Sequence, residues 1–254
     1  MNILLHPDIA SLEVGSSEWF VAQREMIRSK PAVERCYQLW YSLLLADVGS
    51  VANEGLVVEL GSGSSFIKEI YPDVITSDVV PGAVDMVIDG RKLPFEDGSV
   101  KALLLTHVFH HIPDVRLFLR EAERVLVPGG VVSMIDCAHT PISKVFFGRL
   151  HPEPYNWRAS AWDFPPGDSM LDSNQALSWM VFERDFDIFS DEFLGLFLEQ
   201  KSFLPWFSYL LSGGVNLRSI VPPRAANFFE WLDKKLKPID RFGAIHWHLT
   251  VRRR

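Results

Sequence analysis

A glycine-rich turn that follows a short apolar run has the composition of a ligand-binding loop. The run Leu56–Leu60 is apolar apart from Glu59, as in a buried parallel strand, and Gly61, Ser62 and Gly63 follow it directly. Glycines adopt positive φ angles without steric cost and let a ligand approach the backbone closely. Glycine turns after strands are common, and the third glycine of a dinucleotide fingerprint is absent, so the turn alone does not identify its ligand.

Polar residues also follow the next three apolar runs. Asp78 stands where a carboxylate can accept both hydroxyls of a ribose, and Asp89-Gly90-Arg91 could bind an exocyclic amine and ring nitrogens. Thr106 and His107 end the following run. Because open α/β folds bind ligands outside the carboxyl edge of the sheet, we expect these residues to line one crevice.

Strands that alternate with helices would position these residues. The apolar spacing across Asp114–Leu126 predicts a helix, which Pro128-Gly129-Gly130 would end before the next strand. Near the end of the chain, the period-2 alternation of Gly243–Arg252 predicts a strand with one buried face, and Phe193–Lys201 would be its neighbour. This order predicts a parallel sheet with helices on its faces. Further strands are predicted by the apolar runs at 74–76, 102–105 and 131–135.

The composition is that of a globular protein, and it narrows the function classes. The 254 residues are 48% hydrophobic and carry a net charge of −7, a balance that argues against general binding to nucleic-acid phosphates. Cys36 and Cys137 lack metal-ligand spacing and predict reduced thiols, as in a cytosolic protein. No apolar run reaches the length of a membrane span, and the N-terminus lacks the features of a signal peptide. We therefore expect a cytoplasmic protein with no nucleic-acid partner and no membrane span.

The run from Val58 to Asp136 resembles class I S-adenosylmethionine-dependent methyltransferases, in particular the type-11 subgroup. The matching stretches, in family order and spacing, are VVELGSGSS, ITSDVV, VIDGRKLPFEDGSVKALLLTHVFHHIPD and LREAERVLVPGGVVSMID. The resemblance implies a Rossmann-like sheet of seven strands, mostly parallel with an antiparallel last strand, flanked by helices and carrying an aromatic-rich lid or insertion. It also implies S-adenosyl-L-methionine as cofactor and S-adenosyl-L-homocysteine as product.

The resemblance further assigns parts of the cofactor to individual residues. The glycine turn would bound the methionine and ribose end, Asp78 the ribose hydroxyls, Val79 the adenine face, and the Asp89 motif the adenine edge. One departure is that Ser65 stands where the family usually has a third glycine, and we expect a local shift with cofactor binding retained. The implied cofactor contacts are Glu59, Gly61, Ser62, Gly63, Asp78, Val79, Asp89, Gly90, Arg91, Thr106 and His107.

The reaction that the resemblance implies is in-line displacement at a sulfonium methyl group. The positive sulfur already activates the methyl group, so the protein mainly aligns the acceptor and excludes water. His110 is the candidate catalytic residue, because histidine titrates near neutral pH and some relatives place a substrate-facing acid or base here. Alternatively, His110 only shapes the pocket, and His111 is expected to be structural. The HxxHH spacing could suggest a metal site, but the motif offers no nearby carboxylate triad, so we expect no metal.

The C-terminal half is rich in aromatic residues. Residues 140–254 hold 21 of the 31 Phe, Trp and Tyr side chains of the chain. Such a segment could form a lid over the substrate, or a second hydrophobic layer that covers the sheet. The candidate substrate contacts are Tyr155, Trp157, Trp162, Phe164 and Asn174, with core packing or helix initiation as the alternative for each.

We expect residues 1–254 to form a single methyltransferase domain with four parts. These are an N-terminal helical cap (1–54), a cofactor-binding core (55–139), a lid and substrate region with a sixth strand (140–214), and a closing helix with the final strand (215–254). The expected function is methylation of a small-molecule, glycan or lipid-precursor acceptor. An NAD-dependent oxidoreductase and a non-catalytic S-adenosylmethionine-binding protein remain as alternatives, and the aromatic region could instead form a homodimer interface.

Overall fold

The computed structural model describes residues 6–165, 172–219 and 222–254, so part of the predicted lid region lies outside the described residues. Within the described chain, seven strands form one sheet with the order β3-β2-β1-β4-β5-β7-β6. The strands are β1 (Leu56–Leu60), β2 (Ile75–Asp78), β3 (Met86–Val87), β4 (Val100–Thr106), β5 (Leu126–Cys137), β6 (Leu196–Phe203) and β7 (His246–Arg253).

The strand directions confirm the predicted fold class. β1 runs parallel to β2 and β4, and β4 runs parallel to β5. β7 is antiparallel to both of its neighbours, β5 and β6. The carboxyl ends of β1, β2, β4 and β5 therefore meet at one edge of the sheet, which we call the carboxyl edge.

Helices cover both faces of the sheet. Among the described residues, none of the helices combines the length and the apolar character needed to cross a bilayer. The α-helices are α1 (Pro7–Ala10), α2 (Ser17–Ser29), α3 (Pro31–Ser50), α4 (Ile67–Ile70), α5 (Val115–Val125), α6 (Pro141–Val145), α7 (Leu177–Trp179), α8 (Phe186–Glu192), α9 (Phe207–Ser212), α10 (Ala226–Leu236) and α11 (Asp240–Gly243).

The core consists of two layers, one on each side of the sheet. Successive strand residues point to opposite faces, so Val57 packs in the layer that contains α3, whereas Val58 packs in the layer that contains α5. The α5 layer also contains the buried aromatic residues of the C-terminal half, including Trp162 and Phe182. The aromatic enrichment of residues 140–254 therefore serves in part to cover the sheet.

The predicted helix stop Pro128-Gly129-Gly130 lies inside a strand. Helix α5 ends at Val125, β5 begins at Leu126, and the Pro-Gly-Gly segment forms an irregularity in the pairing of β5 with β4. Gly129 has a φ of +77°, which a residue with a side chain rarely adopts. The glycines were predicted to separate two elements, but they form a bulge within one.

The last strand is buried on both faces, so the prediction of one buried face was wrong. Strand β7 lies between β5 and β6, and His246 to Val251 are all buried. Its polar face packs toward Asp47 of α3, whose Oδ2 accepts hydrogen bonds from Thr250 Oγ1 at 2.7 Å and Ser133 Oγ at 2.6 Å. His248 Nε2 lies 2.9 Å from the same oxygen. The alternation therefore reflects a buried polar network opposite an apolar face.

Candidate functional site

The turn after β1 has the backbone that only glycine adopts readily. Gly61 and Gly63 have φ angles of +63° and +40°. A Cβ atom on Gly61 would overlap the Val108 side chain, and one on Gly63 would lie 2.9 Å from Phe20 Cε1. Both glycines are thus required by close approach of other chain segments as well as by their φ angles.

Glu59 is buried beneath this turn, and among the described residues only one of its two carboxylate oxygens accepts a hydrogen bond. Ser65 Oγ donates to Glu59 Oε1 at 3.0 Å, and the Tyr41 hydroxyl lies 2.8 Å from Ser65 Oγ. Ser65, the departure from the family glycine, therefore orients Glu59. Glu59 Oε2 is buried and has no hydrogen-bond partner among the described residues. Burial raises the pKa of Glu59 to about 7.

Asp78 stands at the carboxyl end of β2 and faces the glycine turn. Its Oδ2 accepts from the Gly63 backbone N–H at 3.0 Å, and its Oδ1 accepts from Val80 N–H at 3.1 Å. Burial raises the pKa of Asp78, although these backbone donors oppose the shift. Each carboxylate oxygen can accept more than one hydrogen bond, so Asp78 retains capacity for ligand hydroxyls.

Ser62 has a different place from the other residues of the turn. Its hydroxyl accepts from the Ser77 backbone N–H at 3.2 Å, and its own N–H donates to Ser77 O at 2.7 Å. The Ser62 side chain is buried and ties the turn to β2. Its position therefore favours support of the turn over direct contact with a ligand.

The predicted adenine residues follow β2 and β3. Val79 is 45% exposed, as suits a residue that packs against a ligand face. The Asp89 carboxylate accepts from the Arg91 backbone N–H at 2.9 Å and also from the Arg91 side chain, with Nη2 at 2.7 Å from Oδ2. The hydrogen bonds from this guanidinium lower the pKa of Asp89. An amine ligand would have to share the carboxylate with Arg91. A Cβ atom on Gly90, between them, would make ordinary van der Waals contacts, the nearest of them with Phe118 at 3.5 Å.

Thr106 and His107 end β4 at the same edge. His107 has a φ of +60°, a strained conformation for a residue with a side chain, and such strain is common at functional sites. Burial lowers the pKa of His107 to about 4, so the ring is neutral at pH 7. Thr106 Oγ1 and His107 Nε2 are both buried and have no partner among the described residues.

Helix α2 contributes two residues that the sequence analysis did not identify. Phe20 lies against Gly63. Burial raises the pKa of Glu59, and the positive charge of Arg24 partly opposes this by lowering it. Arg24 Nε is buried without a hydrogen-bond partner among the described residues. No local motif marks these residues, because they reach the site only through the packing of α2.

Buried polar atoms that lack partners are concentrated at the carboxyl edge. The described residues contain eight such side-chain atoms, and buried polar groups are normally hydrogen-bonded. Five of the eight belong to this site or adjoin it, and this concentration is expected where polar groups meet a bound molecule. The five are Arg24 Nε, Glu59 Oε2, Thr106 Oγ1, His107 Nε2 and His246 Nδ1.

His110 is buried between two carboxylates. Its Nδ1 lies 3.1 Å from both oxygens of Asp136, and its Nε2 lies 3.6 Å from Glu153 Oε2. Burial opposes the charged imidazolium, but the adjacent Asp136 carboxylate outweighs it and raises the pKa of His110 well above its usual value. A protonated His110 donates hydrogen bonds, so it can act as a base only after losing its proton.

Carboxylates from distant segments surround the histidine motif. Glu153 Oε2 also lies 3.5 Å from His111 Nε2, and Asp136 is the next-to-last residue of β5. The expectation of no metal was based on the lack of a carboxylate triad near the motif. The fold brings two carboxylates, Asp136 and Glu153, to the histidines from outside the motif.

The candidate substrate residues occupy different environments. Tyr155 OH lies 2.5 Å from His139 Nδ1, and the His139 ring stacks on Trp179 with 3.8 Å between centroids. Trp157 is part of the same group, with its ring centroid 5.9 Å from that of His139. We call these residues, Tyr155, Trp157, His139 and Trp179, the His139 aromatic cluster.

The remaining three candidates are held by other parts of the chain. Trp162 is 2% exposed, and its Nε1 donates to Asp185 Oδ2 at 2.8 Å. Phe164 is half-buried against the α5 layer. The Asn174 amide accepts from Asn156 N–H at 2.9 Å and donates to Asn156 O at 3.1 Å. These contacts favour packing and loop support over substrate contact.

Comparison with known proteins identifies the central segment. The family model of the type-11 methyltransferase domain matches residues 58–134. A demethylmenaquinone methyltransferase from Staphylococcus haemolyticus is 31% identical over 100 residues, covering 32% of this chain and 41% of that protein. A second, from Corynebacterium efficiens, is 41% identical over 71 residues, covering 28% of this chain and 30% of that protein. The chain thus spans less than half the length of these curated relatives.

A solved structure supports the same fold over the whole chain. Geranyl diphosphate C-methyltransferase from Streptomyces coelicolor A3(2), in complex with Mg²⁺, geranyl diphosphate and S-adenosyl-L-homocysteine, aligns with a TM-score of 0.50. The alignment covers 99% of this chain and 89% of that chain at 14% identity, which shows the fold alone. Residues 58–134 thus resemble the type-11 methyltransferase domain, and this segment contains the glycine turn and the strands β2 to β4.

Proposed function

We propose that this protein binds S-adenosyl-L-methionine and transfers its methyl group to a small-molecule acceptor. The observation that carries the proposal is the group of buried, partnerless polar atoms beside the glycine turn of a methyltransferase domain. Demethylmenaquinone and rifamycin-type methyltransferases among the sequence relatives support a small-molecule acceptor. When bound, the cofactor supplies an electrophilic methyl group on a positive sulfur.

The residues of the site match the charges of the cofactor. The Glu59 carboxylate would bind the ammonium group of the methionine end, and the Arg24 guanidinium would bind its carboxylate. Asp78 would accept the ribose hydroxyls, and Val79, Asp89, Gly90 and Arg91 would bound the adenine. Thr106 and His107 would lie near the methionyl group. Binding between opposite charges in a buried site is strong because water does not screen it.

Glu59→Gln is expected to weaken S-adenosyl-L-homocysteine binding about 20-fold at pH 8, because the amide keeps the size of the carboxylate and loses its charge. The pKa of about 7 adds a pH dependence. The ammonium group of the ligand prefers the ionised carboxylate, so wild-type affinity should rise about tenfold from pH 6 to pH 8. Isothermal titration at several pH values measures both effects.

The matched control is Glu54→Gln, which changes an exposed acid just before the same strand. It should retain both wild-type affinity and the pH dependence. Equal affinity of Glu59→Gln and wild type at pH 8 would contradict the cofactor proposal. NAD is titrated in parallel, and preferential binding of NAD would favour the oxidoreductase alternative.

We further propose that residues 140–214 form the acceptor side of the site, with 1–54 as a cap and 215–254 as the closing part of the domain. Support comes from the half-buried Tyr155 and Trp157, whose rings group around His139. His139 is neutral at pH 7, because burial lowers its pKa to about 4. A neutral histidine among aromatic rings suits an apolar or ring-bearing acceptor.

Trp157→Ala is expected to raise the KM for the acceptor about tenfold while leaving S-adenosyl-L-homocysteine affinity unchanged, because the ring belongs to the His139 aromatic cluster. Trp162→Ala should instead lower the free energy of unfolding by about 3 kcal/mol, because its ring is buried in the core. Acceptors are found by radiolabelled methyl transfer to a panel of hydroxyaromatic and isoprenoid compounds, followed by kinetics and urea unfolding. Unchanged kinetics of Trp157→Ala would remove this residue from the acceptor site.

His110 stays the candidate for contact with the acceptor during methyl transfer. Its position after β4, three residues beyond His107, supports a location beside the methionyl end of the proposed cofactor site. In-line transfer depends mainly on alignment, so His110 would orient the acceptor by a hydrogen bond, or remove its proton once unprotonated.

A further inference from the structure

Three donor atoms converge beside the proposed methyl-transfer site. His110 Nε2 and His111 Nε2 lie 3.6 and 3.5 Å from Glu153 Oε2, and all three atoms lie within 4.8 Å of one another. The side chains of His111 and Glu153 are each 23% exposed, whereas that of His110 is 3% exposed. The group is therefore nearly enclosed and remains open to solvent on one side.

The second nitrogen of each histidine is held by an acceptor. His111 Nδ1 lies 3.1 Å from the backbone oxygen of Asp172, and an oxygen without a proton requires that Nδ1 donates. His110 Nδ1 lies 3.1 Å from the Asp136 carboxylate. Once His110 has lost its proton, as metal binding requires, both arrangements leave the Nε2 lone pair pointing toward Glu153. Carboxylates and carbonyls hold metal-binding histidines in this way.

The Glu153 carboxylate is oriented as well. The Gln175 side-chain amide donates to Glu153 Oε2, and the Cys137 thiol donates to Gln175 Oε1 at 2.7 Å, which fixes the direction of the amide. When His110 is protonated, its Nε2–H points toward Glu153, and a divalent cation that replaces this proton would be bound by both imidazoles and the carboxylate. The arrangement thus has three oriented ligands and an outer set of hydrogen bonds.

The spacing fits a small transition-metal ion. Ligand distances of about 2.0–2.1 Å in a tetrahedral zinc site place neighbouring donor atoms about 3.3 Å apart. The distances from Glu153 Oε2 to His111 Nε2 and His110 Nε2, 3.5 and 3.6 Å, are close to this value. Two imidazoles and one carboxylate are the ligands of catalytic zinc sites, whereas Mg²⁺ and Ca²⁺ prefer oxygen ligands.

We propose that His110, His111 and Glu153 bind a divalent transition-metal ion of the Zn²⁺ type. Three protein ligands leave one coordination position for water or another exchangeable ligand. The ion would bind His110 Nε2 while Nδ1 stays with Asp136, so a metal-bound His110 would hold the ion instead of acting directly on the acceptor. Metal binding does not depend on the proposed methyl-transfer activity.

The test is titration of the full chain, freed of metal by chelation, with Zn²⁺ in competition with a chromophoric chelator. Wild type should bind one Zn²⁺ per chain with micromolar or tighter affinity. His111→Gln and Glu153→Gln should each weaken binding more than about 100-fold, since even a second ligand shell contributes about 10- to 100-fold. Gln175→Ala, which removes the amide that orients Glu153 but none of the three ligands, should weaken Zn²⁺ binding about tenfold.

His139→Gln is the matched control, because His139 is a half-buried histidine of the neighbouring aromatic cluster and is not one of the three ligands. It should retain wild-type affinity for Zn²⁺. Thermal unfolding confirms that each variant folds, and Co²⁺ substitution should give the visible absorption of a tetrahedral site in wild type but not in His111→Gln. The proposal is overturned if wild type binds no Zn²⁺ at micromolar concentrations, or if folded His111→Gln and Glu153→Gln bind it as tightly as wild type.

Discussion

Asp78→Ala is expected to weaken S-adenosyl-L-homocysteine binding at least about 100-fold. The substitution removes a carboxylate that would accept two ribose hydroxyls, and hydrogen bonds to charged groups contribute about 1.5–3 kcal/mol each. It also releases the Gly63 backbone N–H, which donates to Asp78 Oδ2 at 3.0 Å, so the glycine turn loses a support. Isothermal titration at pH 8 measures the loss.

Asp73→Ala provides the comparison for this effect. Asp73 is exposed and precedes the same strand, β2, at the end away from the carboxyl edge. The control variant should bind the ligand as wild type does. If the two alanine variants bound it equally well, the ribose would not lie at the end of β2, and the cofactor proposal would fail.

Asp47→Ala is expected to lower the free energy of unfolding by about 4 kcal/mol. Its Oδ2 is the shared acceptor of Ser133, Thr250 and His248, all buried on β5 and β7. Removing the acceptor leaves buried donors without partners, and each such group costs about 1–3 kcal/mol. Urea unfolding monitored by tryptophan fluorescence measures the change.

The pH dependence of stability gives a second readout for Asp47. Burial opposes its ionisation, but the hydrogen bonds from His248, Ser133 and Thr250 hold the pKa of Asp47 below its usual value. The stabilisation is therefore present above the unfolded pKa of about 3.9 and is lost as the pH falls through the folded pKa. The difference in stability between wild type and Asp47→Ala should shrink at acidic pH. Asp187→Ala, at the start of α8, should match wild type throughout, and a constant difference would contradict the assignment.

The local patterns predicted the sheet and the polar strand ends well. Short apolar runs that end in glycine or polar residues predicted β1, β2 and β4, because strand burial and turn conformation depend on neighbouring residues. The final two strands were predicted to begin three residues too early, since β6 begins at Leu196 and β7 begins at His246. Whether the predicted cofactor residues contact a cofactor stays a prediction, although the structure brings Glu59, the glycine turn and Asp78 together.

The groups that sequence patterns missed all depend on long-range packing. Arg24 and Phe20 come from a helix whose own residues show no motif, and Glu153 reaches the histidines from a loop far along the chain. The Pro-Gly-Gly segment was misinterpreted because a bulge and a turn use the same residues. Asp47 could not be paired with β7, because its partners lie on strands at opposite ends of the second half of the chain.

The glycine turn is closed by residues that precede the matched domain. Phe20, Arg24 and Tyr41 lie before residue 58, where the similarity to the type-11 family begins. The boundaries recognised by sequence similarity therefore cut through the site. A fragment limited to residues 58–134 would keep the motif by which the family is detected and lose one wall of the crevice. A domain transferred by recombination or grafting would therefore keep this site only if helices α2 and α3 were transferred together with the motif.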